Sequence, residues 1–255
     1  MYALAIGQIA LALVPRWMAQ RVVSRDFLEA SPSVQKIGWR DLWPMTWRSG
    51  LCSFGSYLGL SAMTLVCAQY AGLADTARYG LSLQLAMMLQ SLSSTWMSVL
   101  WPRLGSMRTR REFSEMKELV WKRMLLCLGT YVFGGIIVWF LAPQALHLFR
   151  SKTDFLPGLL LATLLFVVGL DMVVGLFSAI LLTGNRAPQL GAALANGILA
   201  VGFAAILSHA LGILGIVIAP ACAQLCFNLW NTALLCWRDL NPDPIFLVDS
   251  SGVPS

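Results

Sequence analysis

Formal charge is almost completely separated from apolar sequence along this chain. Six segments, each at least as long as the ~20 residues that cross a membrane as a helix, together contain one formally charged side chain, that of Asp171. A helix satisfies its own backbone N–H and C=O groups, which hydrocarbon cannot do. The sequence therefore predicts an all-α, polytopic membrane helix bundle with six full transmembrane helices, at residues 50–72, 81–101, 124–143, 155–183, 187–210 and 211–237.

The composition excludes a water-soluble globular domain. Hydrophobic residues make up 58% of the chain and charged residues only 12%, whereas soluble domains contain roughly 25% charged residues. The formal net charge of +6 fits contact with anionic lipid head groups. We therefore expect membrane lipids, and no nucleic acid, as partners.

The positions of the predicted spans divide the chain into three regions. Residues 1–48 are predicted to hold a partial N-terminal helix and a basic cytoplasmic linker with an interfacial helix, residues 49–238 a six-helix transmembrane lobe, and residues 239–255 a cytoplasmic tail. The apolar run at residues 2–14 is too short for a full crossing. We expect it to be the end of a helix whose beginning is missing.

Two of the cytoplasmic segments are long enough for surface helices. Trp39, Trp43 and Trp47 recur every four residues, so one helical face would present indole rings at the level of the lipid head groups. Thr109 followed by Glu112 predicts a capping box at the start of the second surface helix. Membrane anchoring is the expected role of both.

The basic residues predict the orientation of the bundle. Of the 18 Lys and Arg residues, 15 fall on one side of the predicted topology. By the positive-inside rule this side, which includes the C-terminus, is cytoplasmic.

Residue groups that carry catalysis are not visible in the sequence. It shows no paired carboxylates, no histidine cluster, no metal-ligand set and no Walker-type phosphate loop. The six cysteines form no CxxC pair. We therefore expect no enzyme, no catalytic residue, no metal site and no cofactor.

Polar residues instead form stripes along the predicted spans at helical spacing. The stripes comprise Ser49, Ser53, Ser56, Thr64 and Cys67 on the first span, Gln84, Ser91, Thr95 and Ser98 on the second, Gln189 and Asn196 on the fifth, and Gln224, Asn228 and Asn231 on the last. Such a stripe either packs helices together or lines a water-filled cavity. The GxxxG pair of Gly55 and Gly59 favours close helix packing, and Pro220 predicts a kink.

Asp171 lies near the middle of its span. A carboxylate at that depth costs about 3 kcal/mol on insertion scales, so we expect it to face the interior of the bundle. Two roles remain open for it at this stage. It is either a functional group, acting as a proton or cation coupling site or as a contact with substrate, or a hydrogen-bonded packing residue.

The order of several short motifs resembles that of the polysaccharide transporter, or oligosaccharide-lipid flippase, family, which belongs to the superfamily of the multidrug and toxic-compound exporters. The motifs cover residues 42–237 and are Trp47-Arg48, Tyr70-Ala71-Gly72, Ala77-Arg78-Tyr79-Gly80-Leu81, Trp101-Pro102-Arg103, Thr183-Gly184-Asn185-Arg186, Asn196, Leu211-Gly212, Gly215 and Pro220. The chain resembles the C-terminal half of such a transporter.

The resemblance implies that the protein flips a lipid-linked oligosaccharide, such as a polysaccharide or O-antigen repeat unit, across the bacterial cytoplasmic membrane by alternating access. It also implies a partner lobe, either a missing N-terminal lobe or a second copy. The expected substrate pathway comprises Asp171, Ser53, Ser56, Gln84, Ser91, Asn196, Gln224, Asn228, Asn231, Arg48 and Arg78.

Three other functions remain open. The chain could be half of a multidrug or cation exporter, in which Asp171 would be the proton-coupled site. It could be a membrane-embedded glycosyltransferase or ligase, or an inactive truncated remnant of a transporter.

Overall fold

A computed structural model describes residues 39–148, 154–184 and 189–241 of the chain. The predicted partial helix at residues 2–14, most of the basic linker and the tail from residue 242 lie outside these ranges. All regular elements within them are helical. They are α1 (Trp39–Leu60), α2 (Met63–Tyr70), α3 (Gly72–Ser98), α4 (Trp101–Thr109), α5 (Phe113–Leu148), α6 (Gly158–Leu182), α7 (Leu190–Leu211), α8 (Ile213–Ala223), a π-helix (Gln224–Asn228) and α9 (Leu229–Leu240).

The protein is an all-α bundle with the character of a multi-pass membrane protein. In the described ranges, five segments are long and apolar enough to cross a membrane: Thr46–Tyr70, Phe113–Leu141, Gly158–Leu182, Leu190–Leu211 and Ile213–Leu240. Helix α3, which contains most of the predicted second span, is 27 residues long but is not one of them. Its serines, glutamines and threonines make it more polar than the others. A sixth crossing by α3 stays a prediction.

Two helices extend beyond the spans predicted for them. Helix α1 begins at Trp39 and continues through residues 48 and 49, so the predicted interfacial helix is continuous with the start of the first span. Helix α5 begins at Phe113 and is 36 residues long. The predicted second surface helix is therefore the first part of the same helix as the third span.

The predicted capping box of Thr109 and Glu112 is wrong. Thr109 is the last residue of α4, and its hydroxyl donates to the Gly105 carbonyl at 2.9 Å. Arg111 has a φ of 59°, and the Glu112 N–H donates to the Met107 carbonyl at 3.0 Å. This is the pattern of a Schellman motif, which ends a helix. The polar residues here close α4 instead of opening α5.

The predicted tight hairpin between the last two spans is confirmed. Helix α7 ends at Leu211 and α8 begins at Ile213, with only Gly212 between them. Gly212 has a φ of 58°, a backbone conformation that glycine adopts without steric cost. Gly215 then lies directly against the carbonyl group of Leu207, so a side chain at residue 215 would push the two helices apart.

Helix α6 is central to the described part of the bundle. Its segment Gly158–Leu182 has the highest mean hydropathy of the five candidate spans, 2.5, and it packs against α3, α5, α8 and α9. At one end of α6, the Arg108 guanidinium donates to the Ile180 carbonyl at 3.3 Å. Arg108 also forms a bidentate ion pair with Asp239, with N–O distances of 3.0 and 2.5 Å. This pair ties α4 to the end of α9.

Close approach of α1 and α7 depends on two glycines, as the GxxxG pattern predicts for Gly55. A Cβ added at Gly55 would lie 2.5 Å from the Ala193 carbonyl oxygen, and one added at Gly197 would lie 2.6 Å from the Gly55 carbonyl oxygen. A Cβ at Gly59 would lie 3.5 Å from the Asn196 amide nitrogen, which is ordinary contact. The two backbones therefore touch at Gly55 and Gly197.

We predict that Gly55→Ala destabilises the bundle by about 1–3 kcal/mol, the range for overpacking a close contact. Gly202→Ala on α7 is the matched control, because a Cβ there meets nothing within 4 Å and alanine is the better helix former. The melting temperatures of both variants are measured in detergent. Unfolding is monitored through the thiol labelling of Cys67, Cys127 and Cys236, which are buried in the folded protein. Equal melting temperatures for the two variants would contradict the proposed backbone contact.

Candidate functional site

The Asp171 carboxylate is held between two glutamine side chains from different helices. Gln224 Nε2 donates to Asp171 Oδ1 at 2.9 Å, and Gln90 Nε2 donates to Asp171 Oδ2 at 3.2 Å. Gln90 belongs to α3 and Gln224 opens the π-helix that follows α8. Three segments far apart in sequence therefore meet at this carboxylate.

The local sequence explains why the last helix supplies a polar group here. Pro220 lies inside α8, where it cannot donate a backbone hydrogen bond to the preceding turn. The π-helix Gln224–Asn228 begins four residues later. Such a π-helix breaks the regular hydrogen-bond ladder, and π-helices are frequent at functional sites. Gln224 and Asn228 are both buried, with 2% and 5% of their surfaces exposed.

Asp171 also lines a cleft, which we name the Asp171 cleft. The cleft has a volume of about 320 Å³ and lies between α1, α6, α7 and the π-helix. Most of the side chains that line it are polar or small. They are Cys52, Ser53, Ser56, Asp171, Val174, Gly175, Ser178, Ala179, Leu182, Gln189, Ala193, Asn196 and Asn228.

A second cleft, which we name the serine groove, lies beside the first on a neighbouring face of α6. It has a volume of about 360 Å³. Gly175 and Ala179 line both clefts, so the two adjoin at these small residues. Together they form a polar strip across the face of the bundle. The serine groove is lined by Gln90, Ser91, Ser94, Thr95, Ser98, Trp101, Met172, Gly175, Leu176 and Ala179.

The strip is rich in hydrogen-bond acceptors. The side-chain carbonyl oxygens of Gln189, Asn196 and Gln224 are buried without a hydrogen-bond partner. In the serine groove, the hydroxyls of Ser94, Thr95 and Ser98 donate to carbonyls of their own helix, which leaves their oxygen lone pairs available. Among the residues that the structure describes, no Lys or Arg lines either cleft. The strip therefore suits a ligand that donates hydrogen bonds, such as a hydroxyl, an ammonium group or water.

Seven of the eleven predicted pathway residues meet in this strip. Ser53, Ser56, Asp171, Asn196 and Asn228 line the Asp171 cleft, Ser91 lines the serine groove, and Gln224 binds Asp171.

The other four lie elsewhere. Gln84 is exposed and Asn231 is half-buried, and neither lines the strip. Arg48 lies over the Trp47 ring, 5.8 Å from its centroid. Arg78 pairs with Asp75 at 3.2 Å, with both side chains partly exposed. Neither arginine is among the residues that line the Asp171 cleft.

Gln90 contacts Asp171, but the polar stripes in the sequence did not include it. It lies one residue before Ser91, at the edge of the stripe on α3, and Ser94 follows it at i+4. A second polar row at Gln90 and Ser94, beside the row at Ser91, Thr95 and Ser98, is the signal that could have indicated it.

We predict that Gln90→Leu destabilises the bundle by roughly 1 kcal/mol, because one Asp171 oxygen loses its donor inside the bundle. Gln84→Leu makes the same change on the same helix at an exposed position, so we expect no loss. Thermal unfolding of both variants in one detergent measures the difference. If Gln84→Leu lowers the melting temperature as much as Gln90→Leu does, the hydrogen bond from Gln90 to Asp171 does not contribute to the stability of the bundle.

Comparison with known proteins does not identify the chain. No protein-family model matches it, and searches of curated proteins and of solved structures gave no significant match.

Proposed function

We propose that the chain is part of a membrane transporter that flips lipid-linked oligosaccharide, a polysaccharide or O-antigen repeat unit, across the bacterial cytoplasmic membrane. In this proposal the Asp171 cleft and the serine groove line one side of the path that the sugars take. The order of motifs shared with oligosaccharide-lipid flippases supports this substrate class.

The observation that carries the proposal is the polar strip within an apolar bundle. If polar residues in a membrane bundle served packing alone, their buried groups would be paired, since an unpaired polar group in hydrocarbon is costly. The carbonyl oxygens of Gln189, Asn196 and Gln224 instead have no hydrogen-bond partner among the described residues, which favours a role beyond packing. A path open to water or sugar would supply the missing donors.

The chemistry of the strip favours the sugar over the rest of a lipid-linked substrate. Sugar hydroxyls can donate to the amide oxygens, to the serine oxygens and to Asp171. A diphosphate would need cations, and no described Lys or Arg lines the strip. We therefore assign the saccharide, and not the diphosphate, to these two clefts.

An exporter of small amphipathic cations is the second candidate. A carboxylate in a cleft without Lys or Arg is an attractive counter-ion for an organic cation. In this case Asp171 would exchange a proton for the substrate.

We predict that Asp171→Asn in the native strain abolishes most surface polysaccharide while membrane abundance of the protein is unchanged. The carboxylate accepts two hydrogen bonds within the strip, and the amide cannot reproduce its charge. Asp75→Asn is the matched control, because Asp75 is 40% exposed and contacts only Arg78 among the described residues through an ion pair. Polysaccharide gels and immunoblots of membranes provide the two measurements.

A second variant tests the path without changing Asp171. Gly175 lies where the clefts adjoin, and a Cβ there meets nothing within 4 Å. Gly175→Phe should obstruct the strip and reduce surface polysaccharide. Normal polysaccharide in both variants would reject the flippase proposal, whereas increased susceptibility to cationic dyes with normal polysaccharide would favour the exporter.

A further inference from the structure

Arg123 lies within a helix instead of in a loop. The sequence places it just before the predicted third span, but α5 begins ten residues earlier, at Phe113. Arg123 is half-buried, and it makes no hydrogen bond or ion pair with the described part of the chain. Its neighbour Lys122 differs, because it is 71% exposed and pairs with Glu118 at 2.5 Å. The Arg123 guanidinium, without a partner among the described residues, is available to bind an anion such as a phosphate.

Arg123 lines a lateral groove between α3 and α5, which we name the Arg123 groove. The groove has a volume of about 470 Å³ and is lined by Leu92, Thr95, Trp96, Val99, Leu100, Arg123 and Thr130. The groove is about 10 Å long, since it covers seven residues of each helix. It extends from Arg123 to Thr130 on α5 and from Leu92 to Val99 on α3. Because α4 connects the end of α3 to the start of α5, Arg123 lies at the Val99 end of the groove.

The groove is amphipathic along its length. The only charge that lines it is the Arg123 guanidinium, at the end of the bundle where the basic residues of α4 and early α5 lie. Toward Leu92 and Thr130 the wall is mainly apolar. Leu92 and Val99 are 66% and 73% exposed, so this wall faces the outside of the bundle, where hydrocarbon is the solvent of a membrane helix.

We propose that the Arg123 groove binds one anionic phospholipid of the leaflet at the basic end of the bundle. The phosphate accepts hydrogen bonds from the guanidinium, whose planar fork matches phosphate oxygens, and one acyl chain lies along Leu92, Trp96 and Val99. A zwitterionic lipid has the same chains and phosphate, but its choline offsets the phosphate charge. The site therefore prefers a head group with a net negative charge. The proposal does not rest on the proposed function, although Thr95 lines both this groove and the serine groove.

Native mass spectrometry tests the site by measuring lipid binding to the delipidated protein. Dioleoyl phosphatidylglycerol and dioleoyl phosphatidylcholine are titrated separately. We expect Arg123→Gln to weaken phosphatidylglycerol binding about tenfold, a loss of about 1.4 kcal/mol, and to weaken phosphatidylcholine binding less. Lys122→Gln removes the same charge one residue away and should bind like the parent. Arg123→Lys should retain most of the binding.

A variant that leaves the charge intact tests the groove itself. Val99→Trp fills the apolar wall and should also weaken phosphatidylglycerol binding. Equal phosphatidylglycerol binding by the parent and by either Arg123→Gln or Val99→Trp would overturn the site, as would an equal loss in Lys122→Gln. Displacement of the lipid by an equal concentration of glycerol 3-phosphate would overturn the lipid assignment in favour of a soluble anion.

Discussion

The carboxylate of Asp171 lies in the most apolar of the five candidate spans, where hydrocarbon cannot solvate it. Its oxygens instead accept hydrogen bonds from Gln224 at 2.9 Å and from Gln90 at 3.2 Å. These bonds require α3 and the last helix to approach α6 at the same depth. One carboxyl group therefore constrains how three helices are arranged. The same arrangement places the polar faces of these helices along α6, where both clefts lie.

Small residues let the polar groups converge without opening the apolar core. Gly55 and Gly197 bring α1 and α7 into backbone contact, so serines of α1 line the same cleft as Asn196. Gly175 leaves space on α6 where the Asp171 cleft adjoins the serine groove. Glycine has no side chain to pack, and it therefore lets the helices approach closely, as is common between membrane helices. The result is a polar strip supported by a tightly packed bundle.

Much of the fold could be predicted because its signals are local. Hydropathy located five of the six predicted spans, and the short connection at Gly212 required a hairpin. Helical periodicity also found residues of the strip on separate helices, including Ser53, Asn196 and Asn228. It failed at Gln90, because a stripe on one helix does not show which edge faces a neighbour. It also did not show that the second surface helix and the third span are one helix, because hydropathy marks where a span becomes apolar and not where its helix begins.

The sequence by itself determined that this chain is helical and membrane-like, and where polar residues lie along each helix. Apolar transfer and backbone hydrogen bonding act residue by residue, so both can be inferred from local composition. Only the tertiary structure decided which polar groups meet. Asp171 contacts residues 81 and 53 positions away in the chain. Such contacts depend on the rotation and depth of every helix in the packed bundle, and no local segment carries that information.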